Sequence, residues 1–336
     1  MNAVLERLYR REDPEPEELE SLFARLIAGE LDPVLLTALL VTLKVKGERG
    51  SEIAAAARAL RAAARPFPRP DYLFVDTCGT GGDGRGTLNV SSGVALVAAA
   101  CGLPVAKHGN RSVSSRSGSA DVFEAAGINV RVDAGTARRA LDEVGICFLY
   151  APDYHPGIAH AMPVRRALAT RTLFNLIGPL VNPAAPPCQL VGVYAPGYVA
   201  PLAEALVTLG VECALVVHGG GLDEIALHSP TQAAHISKGE IEYLEITPEM
   251  AGFVRQPLEA LAGGSPQENA AVLEATLAGG GPSAYRNAIA LNTGALLWIA
   301  GHASDIRAGA QLAVSALVDG LAVDRLAGLR AISNGA

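Results

Sequence analysis

A run of alternating prolines, Arg65-Pro66-Phe67-Pro68-Arg69-Pro70, separates two stretches of chain with different apolar periods. Each proline removes a backbone donor and restricts the residue before it, so no helix or central strand continues through the run. Upstream, Leu19, Leu22, Phe23, Leu26 and Ile27 recur at helical spacing within 17–28, and helices are also expected over 33–44 and 51–64. Downstream the rhythm becomes strand, glycine-rich loop, helix. Strands are expected at 72–76, 104–106, 129–132, 147–150, 190–194 and 214–218, with helices near 92–100, 119–126, 136–144 and 199–209. A helical excursion at 158–176 interrupts this order. A hairpin about Lys238-Gly239 and helices near 267–278, 283–300, 305–318 and 321–330 complete the chain.

This pattern predicts an α/β fold: a small all-helical unit, 1–68, joined in space by about 158–185, and a large unit, 71–336, with a central, mostly parallel sheet and a helical C-terminal region. The linker predicts closure of one unit over the other. Three short helices have more apolar face than they cover, which predicts a homodimer through the helical unit.

Composition narrows the function. With 27 basic and 34 acidic side chains the formal charge is −7, which opposes binding along a nucleic-acid backbone. The charged N-terminus lacks the apolar run of a signal peptide, so the expected location is the cytoplasm. Two uncharged stretches, 88–106 and 172–203, are broken by glycine or proline and are expected to be buried rather than membrane-spanning. Five cysteines, widely spaced and without a CxxC, are expected to be reduced thiols.

Four segments carry candidate chemistry. Asp76-Thr77-Cys78-Gly79-Thr80-Gly81-Gly82-Asp83-Gly84 follows an apolar strand, and its backbone amides can converge on an anion, with Asn89, Ser91 and Ser92 at the start of the next helix. It matches neither the GxGxxG nor the GxxxxGK[ST] fingerprint. The run from Lys107 to Asp121, KHGNRSVSSRSGSAD, combines three cations with five serines and reads as a second phosphate loop. Its His108 reads equally as a base or as a packing residue. In His218-Gly219-Gly220-Gly221-Leu222-Asp223-Glu224, adjacent carboxylates beside a polyphosphate call for Mg²⁺. The fourth, His155 to Leu180, places Arg165, Arg166 and Arg171 beside an apolar wall suited to a flat carboxylate-bearing acceptor.

The ordered motifs GTGGDG (79–84), KHGNRSVSSRSGSAD (107–121), RTLFNLIGPLVNP (171–183), GLDE (221–224) and ENA (268–270), with LKVKGE around Lys44, Val45 and Gly47, make the chain resemble the anthranilate phosphoribosyltransferases over nearly its whole length. The resemblance implies a nucleoside phosphorylase-like fold and transfer of the 5-phosphoribosyl group from phosphoribosyl pyrophosphate (PRPP) to the amine of anthranilate in tryptophan biosynthesis. Carried over, Gly79, Thr80, Gly82, Asp83, Thr87, Asn89, Ser91, Ser92, Lys107 and Ser119 would hold PRPP. Gly79, His108, Asn110, Arg165 and Gly178 would hold anthranilate. Ser91, Asp223 and Glu224 would organise Mg²⁺, two ions per subunit, and Lys107, Asp223 and Glu224 would be the catalytic groups, with no protein nucleophile. Gly157, Ile158, Ala167 and Ala169 depart from the family's usual residues. A pyrimidine nucleoside phosphorylase and a non-catalytic nucleic-acid-binding relative of the same fold remain as alternatives.

Overall fold

The computed structural model describes residues 2–112 and 116–336. Val113, Ser114 and Ser115 of the second loop lie outside the described residues.

The first segment forms four helices, one more than expected: α1 (Asn2–Tyr9), α2 (Pro16–Ile27), α3 (Pro33–Lys46) and α4 (Gly50–Ala62). Proline at N1 starts α2 and α3, where its missing donor costs nothing, and the Asp32 side chain caps α3 by accepting from the amides of Val34 and Leu35. The Ala54–Ala57 run of α4 is fully buried, so other helices approach its backbone closely.

Among the described residues seven strands then form one sheet. In chain order the elements are β1 (Val75–Gly79), α5 (Val90–Ala100), β2 (Val105–Gly109), α6 (Ser119–Ala125), α7 (Ala134–Val144), β3 (Ile146–Tyr150), α8 (Ala151–Tyr154), α9 (Met162–Leu168), β4 (Cys188–Gly192), α10 (Val199–Thr208), β5 (Cys213–His218), β6 (Thr231–Ser237) and β7 (Glu240–Ile246). Helices α11 (Pro266–Leu277), α12 (Ser283–Ile299), α13 (Ile306–Val318) and α14 (Leu321–Ser333) follow. The sheet order is β3-β2-β1-β4-β5-β6-β7, parallel from β3 through β5, with β6 antiparallel to both β5 and β7 and the β6–β7 hairpin turning about Lys238-Gly239 as expected. The order reverses between β1 and β4, where open α/β sheets place their ligands.

One core gathers α5, α12 and α14 with the β1–β3 strands. A second joins α1–α4 and the 161–181 excursion, through α10, to the opposite sheet face at Val191, Val216 and Ile236.

Several expectations are corrected. Residues 129–132 form no strand: Val130 is buried, but the segment pairs with no neighbour and is held by the Asn129 amide donating to Ser333 Oγ. The excursion is not one helix; Pro156, Gly157 and Pro163 divide it into α9 and short 3₁₀ turns, including Pro156–Ala161 and Gly178–Val181. Lys107 and His108 lie in β2 rather than in a loop. Cys188 and Cys213 are joined as a disulfide, not reduced, because parallel pairing of β4 with β5 sets them in register with Cα atoms 4.7 Å apart. Cys78, Cys101 and Cys147 are free thiols.

Among the described residues no helix is long and apolar enough to cross a membrane. Residues 88–106 form α5 and its flanks, and 172–203 form 3₁₀ turns, β4 and the start of α10.

Candidate functional site

The carboxyl ends of β1 and β2, the 223–224 end of the loop that follows β5, and the 151–181 segment surround a cavity of about 330 Å³. Its lining contains every residue carried over for donor, acceptor and metal except Ser92, which is fully buried one position into α5 from Ser91.

The floor is made by a pair of glycines. Gly79 and Gly192 are in register across β1 and β4, and a Cβ on either would overlap Asp223: its carboxylate above Gly79, its carbonyl above Gly192. Their bare backbones let the 219–224 loop lie directly on the sheet. The amide of Gly81 donates to Asp223 Oδ2 (2.7 Å) and that of Ser91 to Glu224 Oε1 (3.1 Å). Burial, followed by repulsion from Asp83, raises the Asp223 pKa, and burial followed by repulsion from Asp223 raises that of Glu224. Neither carboxylate has an ion-pair partner among the described residues. Two unneutralised acids facing a polar cavity fit a hard divalent cation whose remaining ligands come from phosphate.

Lys107 is 1% exposed. Its ammonium donates to Thr77 O (2.8 Å) and Ser91 Oγ (3.3 Å), leaving a third hydrogen for a ligand. Asn89 is fixed on three sides: its amide donates to Ser117 O, its side-chain oxygen accepts from Asn269, and its carbonyl accepts from Tyr285. Asn269, the middle residue of ENA, thus supports the donor loop from α11. Gly81, Gly82, Gly84 and Gly86 all have positive φ, so the 79–87 loop needs glycine at those turns. Arg171 grips this loop through Gly82 O while its guanidinium stacks 4.5 Å from the Tyr194 ring centre. In the second loop, Ser119 begins α6, whereas Arg111 is engaged by Asp121 and Glu124.

At the other end the cavity is apolar and holds His108, His155, Phe174 and Ile177. His108 Nδ1 lies 3.2 Å from Gly178 O. A carbonyl only accepts, so Nδ1 carries the proton and Nε2 is a bare acceptor. Burial, reinforced by His155, pushes the His108 pKa down to about 3, so the ring is neutral. Its Nε2 has no partner among the described residues. Arg165 lies over the Phe174 ring at 5.2 Å and pairs with no carboxylate among the described residues. Burial holds its pKa below the usual arginine value.

The structure accounts for one family departure and shows the cost of another. Gly157 packs so closely on Ile27 that a Cβ would overlap its side chain and press on its carbonyl. Ala169 ends α9 at φ 47°, the left-handed conformation that glycine adopts freely. Ala169→Gly is therefore expected to raise stability by about 1 kcal/mol, measured by urea unfolding; an unchanged midpoint would show that the backbone relaxes elsewhere.

Sequence reading missed Asp76 and Asn182. Asp76 is fully buried, accepts from the Asn182 amide (2.9 Å) and the His108 backbone (3.3 Å), and burial raises its pKa to about 6. Asn182 also donates to Ala106 O. The pair fastens β1, β2 and the 178–182 segment together beneath the cavity. Each lies within a quoted motif, Asp76 just before GTGGDG and Asn182 in RTLFNLIGPLVNP, yet no sequence signal joins positions so far apart.

Residues 71–323 match the glycosyl transferase family a/b domain, and residues 2–64 the helical bundle domain of the same family. An anthranilate phosphoribosyltransferase of Sorangium cellulosum is 56% identical over 99% of this chain and 96% of its own length; one from Serratia proteamaculans is 52% identical over 98% and 99%. The crystal structure of the Thermus thermophilus anthranilate phosphoribosyltransferase superposes with a TM-score of 0.94 at 43% identity, covering 99% of both chains. The Saccharomyces cerevisiae enzyme in complex with PRPP and Mg superposes with a TM-score of 0.91 at 25% identity, covering 99% of this chain and 98% of its own.

Proposed function

The chain belongs to the anthranilate phosphoribosyltransferase family and transfers the 5-phosphoribosyl group of PRPP to the amine of anthranilate; from that premise we propose how its own residues divide the work. The family match sets aside the phosphorylase and nucleic-acid-binding alternatives.

PRPP lies along the 79–92 loop and Lys107, with Ser119 at the mouth of the second loop. The single observation that carries this assignment is the unneutralised pair Asp223 and Glu224 beside a third carboxylate, Asp83, in the cavity that Lys107 enters. Asp223 and Glu224, with Ser91 beside them, would hold two Mg²⁺ ions per subunit together with the diphosphate oxygens, since the described residues alone offer no cluster of three acids around one ion. Bound Mg²⁺ supplies charge neutralisation between the carboxylates and the diphosphate and stabilises the negative charge growing on the leaving group. The Lys107 ammonium adds to that stabilisation from the buried side.

Anthranilate occupies the apolar end. Arg165 clamps its carboxylate, Phe174 and Ile177 face its ring, and Asn110 and Gly178 border it. The amine needs no strong base, because an aromatic amine is neutral at physiological pH. Its lone pair attacks C1, the bond from C1 to pyrophosphate oxygen breaks with the electron pair leaving on pyrophosphate, and the proton shed by the nitrogen passes to water. His108 borders the acceptor with a neutral ring held in orientation by its Nδ1 bond to Gly178 O.

The test is a fluorescence assay for phosphoribosylanthranilate with both substrates, with and without Mg²⁺. Product is expected only with all three present; a folded sample that forms none refutes the reading. Arg165→Ala is expected to raise the anthranilate KM about 10- to 100-fold, the range of a lost charge-assisted hydrogen bond, with the PRPP KM little changed. Equal effects on both substrates would move Arg165 out of the acceptor role.

We further propose the division into 1–68 with 158–185 and 71–336, a cytoplasmic location, and a homodimer through the helical unit. Val34, Val41 and Val45 of α3 fall along one helix face and are 74%, 37% and 71% exposed, and Tyr9 of α1 is 56% exposed. A monomeric mass at micromolar concentration would exclude the dimer.

A further inference from the structure

Four consecutive carbonyl oxygens of the Gly178–Val181 turn are each held by a different side chain. His108 Nδ1 from β2 donates to Gly178 O (3.2 Å), and Gln189 Nε2 from β4 to Pro179 O (3.0 Å). Arg61 Nε from α4 donates to Leu180 O (2.6 Å), and His155 Nε2 to Val181 O (2.7 Å). A short 3₁₀ turn leaves such carbonyls for water or for whatever approaches. Here the sheet and the helical unit both reach in to take them.

Gln189 and Arg61 do not line the cavity, and each meets its carbonyl at a cost. Gln189 is fully buried with Oε1 unpartnered, and Arg61 buries Nη2 unpartnered, among the described residues. An unmet buried polar atom is unfavourable, so apolar side chains would fill these positions better if packing were all that mattered. What the two bonds fix is the turn whose other side presents Gly178 and Val181 to the cavity, and whose first carbonyl sets the proton on His108 Nδ1.

We propose that Gln189 and Arg61 are positioning residues for the acceptor: they pin the 178–181 turn between sheet and helical unit, which holds the acceptor wall and the His108 tautomer in place. The inference rests on placing anthranilate at this end of the cavity. It assigns the two side chains no contact with substrate and no part in donor binding.

Steady-state kinetics of Gln189→Leu and Arg61→Met test it, with folding checked by thermal melting. The expected result is a rise of about tenfold in the anthranilate KM, a PRPP KM within twofold of wild type, and recovery of most of the loss in Arg61→Lys. The proposal is overturned if both KM values stay put while the rate falls with the folded fraction, if both rise together, or if Arg61→Lys is as impaired as Arg61→Met. Should one variant fail to fold, the other decides; if neither folds, the side chains hold the fold rather than the acceptor and the proposal also fails. A wild-type enzyme that forms no phosphoribosylanthranilate would instead refute the functional reading beneath it.

Discussion

Asp223→Asn combined with Glu224→Gln is expected to lower kcat/KM by about 10³-fold, some 4 kcal/mol of transition-state stabilisation, while making the ligand-free protein more stable. The two effects have one cause. Burial and mutual repulsion raise both carboxyl pKa values in the folded state. A carboxyl with a raised folded pKa favours folding below its unfolded pKa, and that contribution is lost as pH rises through the folded value. At pH 8 the divalent-free wild type therefore carries an ionised Asp223, raised to about 6, and a Glu224 near its raised midpoint of about 8, both charges that its fold disfavours. The amides keep an oxygen to accept from the Gly81 and Ser91 amides, so the loop geometry survives. The melting temperature of the double variant should exceed that of wild type by about 2–4 °C at pH 8, and the gap should close toward pH 4, where the wild-type acids are neutral. Calorimetry without divalent ions measures this; a lower melting temperature at pH 8 would make the pair a structural support rather than a cation site.

Gly192→Ala should be nearly as damaging without touching a ligand. The added Cβ overlaps the Asp223 carbonyl, and backbone in contact with backbone has no flexible end to give way. The loop has to lift, carrying both acids away from Lys107 and Ser91. A fall in kcat/KM of about 100-fold is expected, near 3 kcal/mol, with the circular dichroism spectrum unchanged. Gly197→Ala is the control: an added Cβ there meets nothing within 4 Å. Equal activity of the two variants would show that the loop's seat on the sheet is unimportant.

How much was legible in the sequence followed from how local the signal was. The hairpin about Lys238-Gly239 and the four C-terminal helices follow from period and turn chemistry within a few residues, and they form as read. The segment 129–132 alternates like a strand but finds no neighbour to pair with, a fact about the sheet that alternation does not carry. Lys107 and His108 looked like loop residues because charge ends an apolar run. They are buried strand residues because Thr77 O, Ser91 Oγ, Gly178 O and the Asp76 carboxylate meet them there. Those partners come from three distant stretches of chain. The Cys188–Cys213 link and the bond from Asn182 to Asp76 are invisible for the same reason: parallel crossovers bring together residues that spacing rules keep apart. Ser92 is expected at the donor site from the resemblance and from its place at the start of a helix, but successive helical residues point about 100° apart, and Ser92 is buried outside the cavity.

The apolar mass that begins in α2 continues without a break through α4 and α10 to the face of β4, β5 and β6. Prising these layers apart would wet continuous hydrocarbon surface at about 25 cal/mol for every Å², so the closure of one unit over the other expected from the linker is opposed by this shared core. Any rearrangement that accompanies turnover in this protein should instead be a small lateral slip of packed helices across the sheet. Its overall dimensions in solution should then barely alter when substrates arrive, even as Arg165 and the 178–181 turn change their distance from the sugar by an ångström or two.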